Sequence, residues 1–271
     1  MANYTALAEA AVREAGNLVK SFSNEHALHV EEKGSAYDFV TDADRQSQQL
    51  IKRIVLSAFP THRFIGEEDG LEDDEIARAV LEAGPDEYYW LADPLDGTLN
   101  YIHRLGGYCI SLALMHGGRS ICGVLYALQE DELFLAELGA GATRNGVPMH
   151  ASQCGELCHA LTATGYAGAD LALRERSKKW IDAVAMASMN MRNLGSCARA
   201  IALTAAGSLD AFFEIGPHPW DVAASLLLCQ EAGCSISMLS GAPYRFGNPS
   251  VLVSAPGIHE ALCALIRENG G

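Results

Sequence analysis

Apolar positions along the chain alternate between two periods. Leu7, Ala11, Ala15, Leu18 and Phe22 recur at steps of three or four, so residues 3–22 predict an amphipathic helix. Leu50, Ile51, Ile54 and Val55 repeat the pattern, predicting a helix over 44–58 that ends before Phe59 and Pro60. A polar, hairpin-like segment with Lys33-Gly34 and Asp38-Phe39-Val40-Thr41-Asp42 lies between them. The texture then shifts to short β runs. Arg63-Phe64-Ile65 is one, and Glu87 to Ala92 is a second that ends at Asp93-Pro94. Tyr108–Met115 and Ile121–Leu128 flank Gly117-Gly118 and predict a hairpin, with Leu133–Glu137 as a third antiparallel strand. Gly139, Gly141 and Asn145-Gly146 read as turns.

In the second half, helices are predicted over 171–186 and from Ser196 to Gly207, and a strand from Leu209 to Glu214. Pro219–Ala232 has Pro at its start and Gly233 after its end, the usual asymmetry of a helix. Val251–Val253 reads as a buried strand and 256–268 as a closing helix. Strands and helices alternate in both halves, which predicts layered helices and sheets. The hairpins argue against a purely parallel sheet.

The 271 residues are 49% apolar, enough for a packed core and too apolar for a disordered chain. The net charge of −15 argues against an electrostatically driven nucleic-acid binder. No stretch approaches the ~18 apolar residues of a membrane span. The amino terminus lacks the basic leader and apolar run of a signal peptide, and a cytoplasmic location is expected. None of the eight cysteines forms a C-x-x-C pair, so buried thiols are expected rather than a zinc or disulfide framework.

Three acidic clusters stand out: Gly66-Glu67-Glu68-Asp69 after a β run, Asp93-Pro94-Leu95-Asp96-Gly97-Thr98 after a strand, and Trp220-Asp221 at a helix start. Pro94 fixes φ and Gly97 permits close backbone approach, so Asp93, Asp96 and the Leu95 carbonyl can meet at one point. Such hard oxygen donors suit Mg²⁺. The Gly97 and Thr98 amides then open a short helix, and such ends bind phosphate. Taken singly, each cluster also reads as a turn, a first-turn charge or a solvated loop.

WLADPLDGTLNYIHR (90–104) resembles the first signature of the inositol monophosphatase superfamily, and WDVAASLLL (220–228) the second. IGEED (65–69), KGSAYDFVTDAD (33–44) and GSLDAFFEIGPHPWD (207–221) are similar to further blocks, in order. The resemblance covers nearly the whole chain. It implies an α/β fold, a five-layer α-β-α-β-α sandwich of the sugar-phosphatase type, as one unit over 1–271. Sub-regions of about 1–145 and 146–271 are expected to hold the metal and phosphate site and the substrate pocket.

The resemblance also implies roles. Glu67, Asp93 and the Leu95 carbonyl hold one Mg²⁺; Asp93, Asp96 and Asp221 hold a second; Glu67 reaches a third through water. Thr98 and Asp44, with Glu67, serve catalysis by orienting and activating water. Gly97 and Thr98 grip the phosphate. Asp96, Gly195, Ser196, Glu214 and Asp221 line the substrate pocket. Lys33 and His218 match family positions at the site, with a loop or packing role equally open.

The implied reaction is direct hydrolysis of a small phosphate monoester without a covalent intermediate. Thr98-Leu99-Asn100-Tyr101 and Phe212-Phe213-Glu214 are similar to the inositol type, which points to myo-inositol 1-phosphate. Fructose 1,6-bisphosphate, histidinol phosphate and 3′-phosphoadenosine nucleotides are the alternatives. A homodimer and lithium sensitivity are implied; nucleic-acid and membrane partners are not expected. Two departures are Cys197, where many relatives have Ala, and Arg199, open to a dimer partner, a phosphate or solvent, with solvent the default. A different class also stands: a non-catalytic protein-binding regulator on the same fold.

Overall fold

The computed structural model describes residues 3–23, 29–32, 39–166 and 171–271. The first half contains α1 (Tyr4–Ser23), β1 (Val30–Glu32), β2 (Phe39–Thr41), α2 (Asp42–Ala58), β3 (Arg63–Gly66), α3 (Asp73–Leu81), β4 (Tyr88–Asp96) and α4 (Thr98–Ile102). β5 (Cys109–His116), β6 (Arg119–Ala127), β7 (Glu132–Glu137), β8 (Gly141–Arg144) and β9 (Val147–Pro148) follow. The second half contains β10 (Leu161–Thr164), α5 (Leu171–Ala187), β11 (Asn190–Arg192), α6 (Cys197–Ala205), β12 (Ala211–Ile215) and α7 (Pro219–Ala232). It closes with β13 (Ser235–Ser237), β14 (Ser250–Ser254) and α8 (His259–Glu268).

Among the described residues, β3 to β9 form one sheet in chain order, parallel at β3–β4 and antiparallel beyond. A second sheet runs β11-β10-β12-β14-β13, and β1 pairs with β2 alone. Strand periodicity sorts the core. On β4, Trp90 and Ala92 face α1 and α2, while Tyr89 and Leu91 face α3 and α7. The buried stripe of α1 is built of small residues, Ala8, Ala11, Val12 and Ala15, and at Gly16 a Cβ would lie 2.6 Å from the Tyr126 ring.

α6 and α7 fill the space between the sheets, where Leu125 and Phe134 of one meet the layer that carries Phe212 and Val253 of the other. α5 and α8 cover the far face of the second sheet through Trp180, Ile181, Leu262 and Ile266. The order is helix, sheet, helix, sheet, helix, the five layers expected. α7 is apolar on every side, as a helix between two sheets must be. At Gly123 of β6 a Cβ would lie 2.7 Å from the Ala224 carbonyl, so a side chain there would push α7 off the sheet.

Several expectations are corrected. The strand expected to end at Asp93 continues to Asp96. The turn at Gly141 opens β8, and β10 was not foreseen at all. α3, where no element is predicted from the sequence, forms with Ile76 and Val80 buried beneath its acidic first turn. No helix is long and apolar enough to cross a membrane among the described residues.

Candidate active site

Asp93 and Asp96 have opposite parity, so a regular strand would send them to opposite faces. Asp93 pairs with Ser111 and Asp96 with Cys109, three steps on β4 against two on β5. That one-residue bulge, at the proline, turns both carboxylates to one face. Asp93 then accepts the Leu95 amide at 2.9 Å. Gly97 follows at φ 93°, where a Cβ would lie 3.2 Å from the Gly195 carbonyl, and α4 starts at Thr98. Glycine is required there by both conformation and space.

The Thr98 hydroxyl lies 3.1 Å from Asp44 Oδ1 and 3.0 Å from the Leu95 carbonyl, both acceptors. Asp44 is wholly buried, and its other oxygen accepts the Thr41 amide at 2.8 Å and the Thr41 hydroxyl. Thr41 is the N-cap of α2 and Asp44 its third residue, so a helix cap holds the carboxylate toward Thr98. Glu67 opens a half-buried 3-10 turn after β3. Gln48 of α2 braces that turn, accepting the Glu68 amide at 2.9 Å and donating to Asp69 at 3.1 Å. Asp221 sits in the first turn of α7 and accepts the His218 amide at 2.8 Å.

Burial, then the charges of Glu67, Asp96 and Asp221, push the Asp93 carboxyl well above the usual carboxylate range. Asp221 is raised in the same way, with His218 opposing. Asp96 also receives donors from the start of α6. Ser196 Oγ and the Ala198 amide donate to Oδ2 and the Cys197 amide donates to Oδ1, which offsets part of the upward push of burial. The four carboxylates do not supply a trio of oxygens all within 4.8 Å of one another; among the described residues that closeness occurs only at Glu156, Cys158 and His159.

Asp96, Ser196, Cys197, Glu214, His218 and Asp221 share a cavity of about 350 Å³, which Gly195, Tyr166 and Arg174 also line. Burial pushes Glu214 up to about 7, with the Cys197 thiol bond and the His218 charge opposing. At Gly165 a Cβ would lie 1.9 Å from Glu214 Oε1, so that glycine makes room for the carboxylate. His218 Nδ1 is 3.0 Å from both oxygens of Asp73, which raises it to about 9, and its ring stacks on Trp220. Lys33 lies outside the described residues. Arg199 does not face solvent: its side chain is 14% exposed and pairs with Glu130 at 2.6 Å. Sequence reading missed Thr41, Gln48, Asp73 and Arg174. Thr41 alone carried a signal, as a cap residue three positions before an acid.

The donor set fits a divalent cation. Its side chains are all oxygen ligands, and they repel one another unless positive charge lies between them. A carboxyl whose folded pKa is raised contributes stability that is fully present below its unfolded pKa and is lost as pH rises through the folded value. For Glu214 that window runs from 4.5 to about 7, and Asp93, Asp96 and Asp221 act with the same sign from 3.8 upward. Metal-free protein is therefore expected to melt about 5 °C or more lower at pH 8 than at pH 5, and millimolar Mg²⁺ is expected to restore the loss. Calorimetry in chelator checks this; a melting point that rises from pH 5 to pH 8 would exclude the repulsion.

The description of one family, the inositol monophosphatase family, matches residues 1–270 of this sequence. The chain belongs to that family. The Nus factor SuhB of Escherichia coli strain K12 is 34% identical over 266 residues, covering 97% of this chain and 95% of the relative. Inositol monophosphatase 2 of Solanum lycopersicum is 33% identical over 271 residues, covering 99% and 100%. The crystal structure of the extragenic suppressor protein suhB from Bartonella henselae superposes with a TM-score of 0.88 at 29% identity, over 98% of this chain and 99% of that one. An IMPase/NADP phosphatase complexed with Mg²⁺ and phosphate gives 0.80 at 25% identity, over 96% and 93%. The family expected from the sequence blocks, and its fold, are thus established.

Proposed function

We propose that the chain is a Mg²⁺-dependent phosphatase of small phosphate monoesters, with myo-inositol 1-phosphate as the preferred substrate. The observation that carries the reading is one cavity in which Asp96, Asp221 and Glu214 meet, beside the Thr98–Asp44 pair. Glu67, Asp93, the Leu95 carbonyl, Asp96 and Asp221 are the proposed ligands of two or three ions. Mg²⁺ supplies charge neutralisation of the phosphate and a more acidic water.

The protein's own groups do the rest. Thr98 accepts a hydrogen bond from the attacking water and hands its own proton toward Asp44, which Thr41 holds in place. The Gly97 and Thr98 amides receive the phosphate oxygens. Glu214 and Asp96 accept the substrate's hydroxyls, and the small cavity favours a single ring over a dinucleotide. The first half, about 1–145, then supplies most of the metal and phosphate ligands, and the second, 146–271, supplies Asp221 and most of the pocket for the alcohol. Water attacks phosphorus directly, with inversion.

Phosphate release from a panel, with and without Mg²⁺, tests the reading. The panel holds inositol 1-phosphate, fructose 1,6-bisphosphate, histidinol phosphate and 3′-phosphoadenosine 5′-phosphate. The expected result is Mg²⁺-dependent turnover at least tenfold faster, in kcat/KM, on the inositol ester. A different leader reassigns the substrate, and Arg174 in the wall is the group to pair with a second phosphate. The Nus name of the SuhB relatives supports a second reading, a protein-binding regulator. That reading predicts no turnover on any member of the panel, and a partner held equally by Asp93→Asn.

A further inference from the structure

The crossover between the two sheets carries donors that the phosphatase reading leaves unused. One ligand atom from each of Glu156, Cys158 and His159 lies within 4.8 Å of the other two, and all three side chains are exposed. The Cys158 thiol is 3.8 Å from a Glu156 carboxylate oxygen. The three come from a single 3-10 turn, Leu157–His159, with Glu156 as its N-cap.

The turn is held from outside. Asp210 clamps both ends of the loop: Ser152 Oγ donates to one of its oxygens and the Leu161 amide to the other, at 2.6 Å. The His159 amide donates to the Glu156 carbonyl at 3.0 Å and closes the turn. Against the loop's other side, a Cβ on Gly257 would lie 2.6 Å from the Cys154 carbonyl, so neighbouring chain presses close. The backbone is fixed while the donor side chains are free to turn.

We propose that Glu156, Cys158 and His159 form a second metal site, for a thiophilic divalent ion of the Zn²⁺ class, with water in the remaining position. Thiolate, imidazole and carboxylate are a zinc-type donor set, unlike the all-oxygen set at the catalytic acids. Zinc–ligand bonds of about 2.0–2.3 Å place tetrahedral donors roughly 3.5 Å apart, so side-chain rotation of about 1 Å closes the site. Binding breaks the Cys158 S–H bond and releases its proton to solvent as the sulfur–metal bond forms. The site is distinct from the catalytic cavity. His159 lies just before β10, and Thr164, at the other end of that strand, lines the cavity. At about 3.3 Å per residue the two are on the order of 15 Å apart.

Reduced full-length protein, with Mg²⁺ in excess, is titrated with Co²⁺ as the spectroscopic probe. A thiolate-to-cobalt charge-transfer band is expected to saturate at one equivalent and to vanish on adding Zn²⁺. Cys158→Ser is expected to abolish the band, His159→Ala to weaken binding at least tenfold, and Asp93→Asn to leave both unchanged. Circular dichroism melts verify that each variant is folded. No band at stoichiometric Co²⁺, or a band that survives Cys158→Ser, overturns the proposal.

Discussion

Replacing Asp93 by Asn is expected to lower kcat by at least about a thousandfold and to raise the melting temperature of the metal-free protein. The two effects have one cause. Asp93 is crowded, raised by burial and by the charges of Glu67, Asp96 and Asp221. In the metal-free fold its charge is a burden, so an isosteric amide relieves repulsion on Asp221 and Glu67. In the working enzyme the same charge is the proposed bridge between cations, and a thousandfold loss is about 4 kcal/mol of transition-state stabilisation. Steady-state phosphate release and chelator-treated calorimetry measure the pair. Full activity in Asp93→Asn would remove the metal assignment. A lower melting point would show that Asp93 supports the fold through its Leu95 bond more than it strains it.

Thr98→Ala is expected to lower kcat by about a hundred- to a thousandfold with KM and the Mg²⁺ requirement nearly unchanged, the pattern of an interaction made in the transition state. The hydroxyl is bonded to Asp44 and to the Leu95 carbonyl, so its loss removes the proposed proton path and not the fold. Asp44 keeps both Thr41 donors, and the melting point is expected to move by no more than a few degrees. Thr98→Ser retains the hydroxyl and is expected to keep most of the rate. If Ser fails as badly as Ala, the threonine acts through its methyl group in packing, and the relay is wrong.

Much of this was legible because periodicity and signature residues carry local information. The helix expected over 44–58 is Asp42–Ala58, and the small-residue helix after Ser196 is Cys197–Ala205 with Ser196 as its cap. Asp93, Asp96 and Asp221 could be placed from strand-end and helix-start positions. Other features depend on chain distant in sequence. The bulge between Asp93 and Asp96 exists only against β5, and Arg199 turns from solvent to pair with Glu130, 69 residues away. Asp73 carries no sequence signal of a role until His218, 145 residues away, bonds to its carboxylate. β10 is four residues of Leu-Thr-Ala-Thr, too short and too mixed to announce itself, and becomes a strand because β11 and β12 flank it.

The burial of α7 sets how the centre can respond to cations of different radius. Ten of the helix's residues are buried, including Pro219 and Trp220 beside Asp221, so the backbone that carries Asp221 cannot shift without moving the middle layer of the molecule. Glu67 rides on a three-residue turn with no buried member. Asp221 is thus carried by a packed helix, and Glu67 by a short, partly exposed turn that Gln48 braces. At the proposed site a larger ion such as Ca²⁺ is expected to displace the Glu67 side more than the Asp221 side. Selectivity among cations at the proposed site would in this sense be a property of the central helix layer.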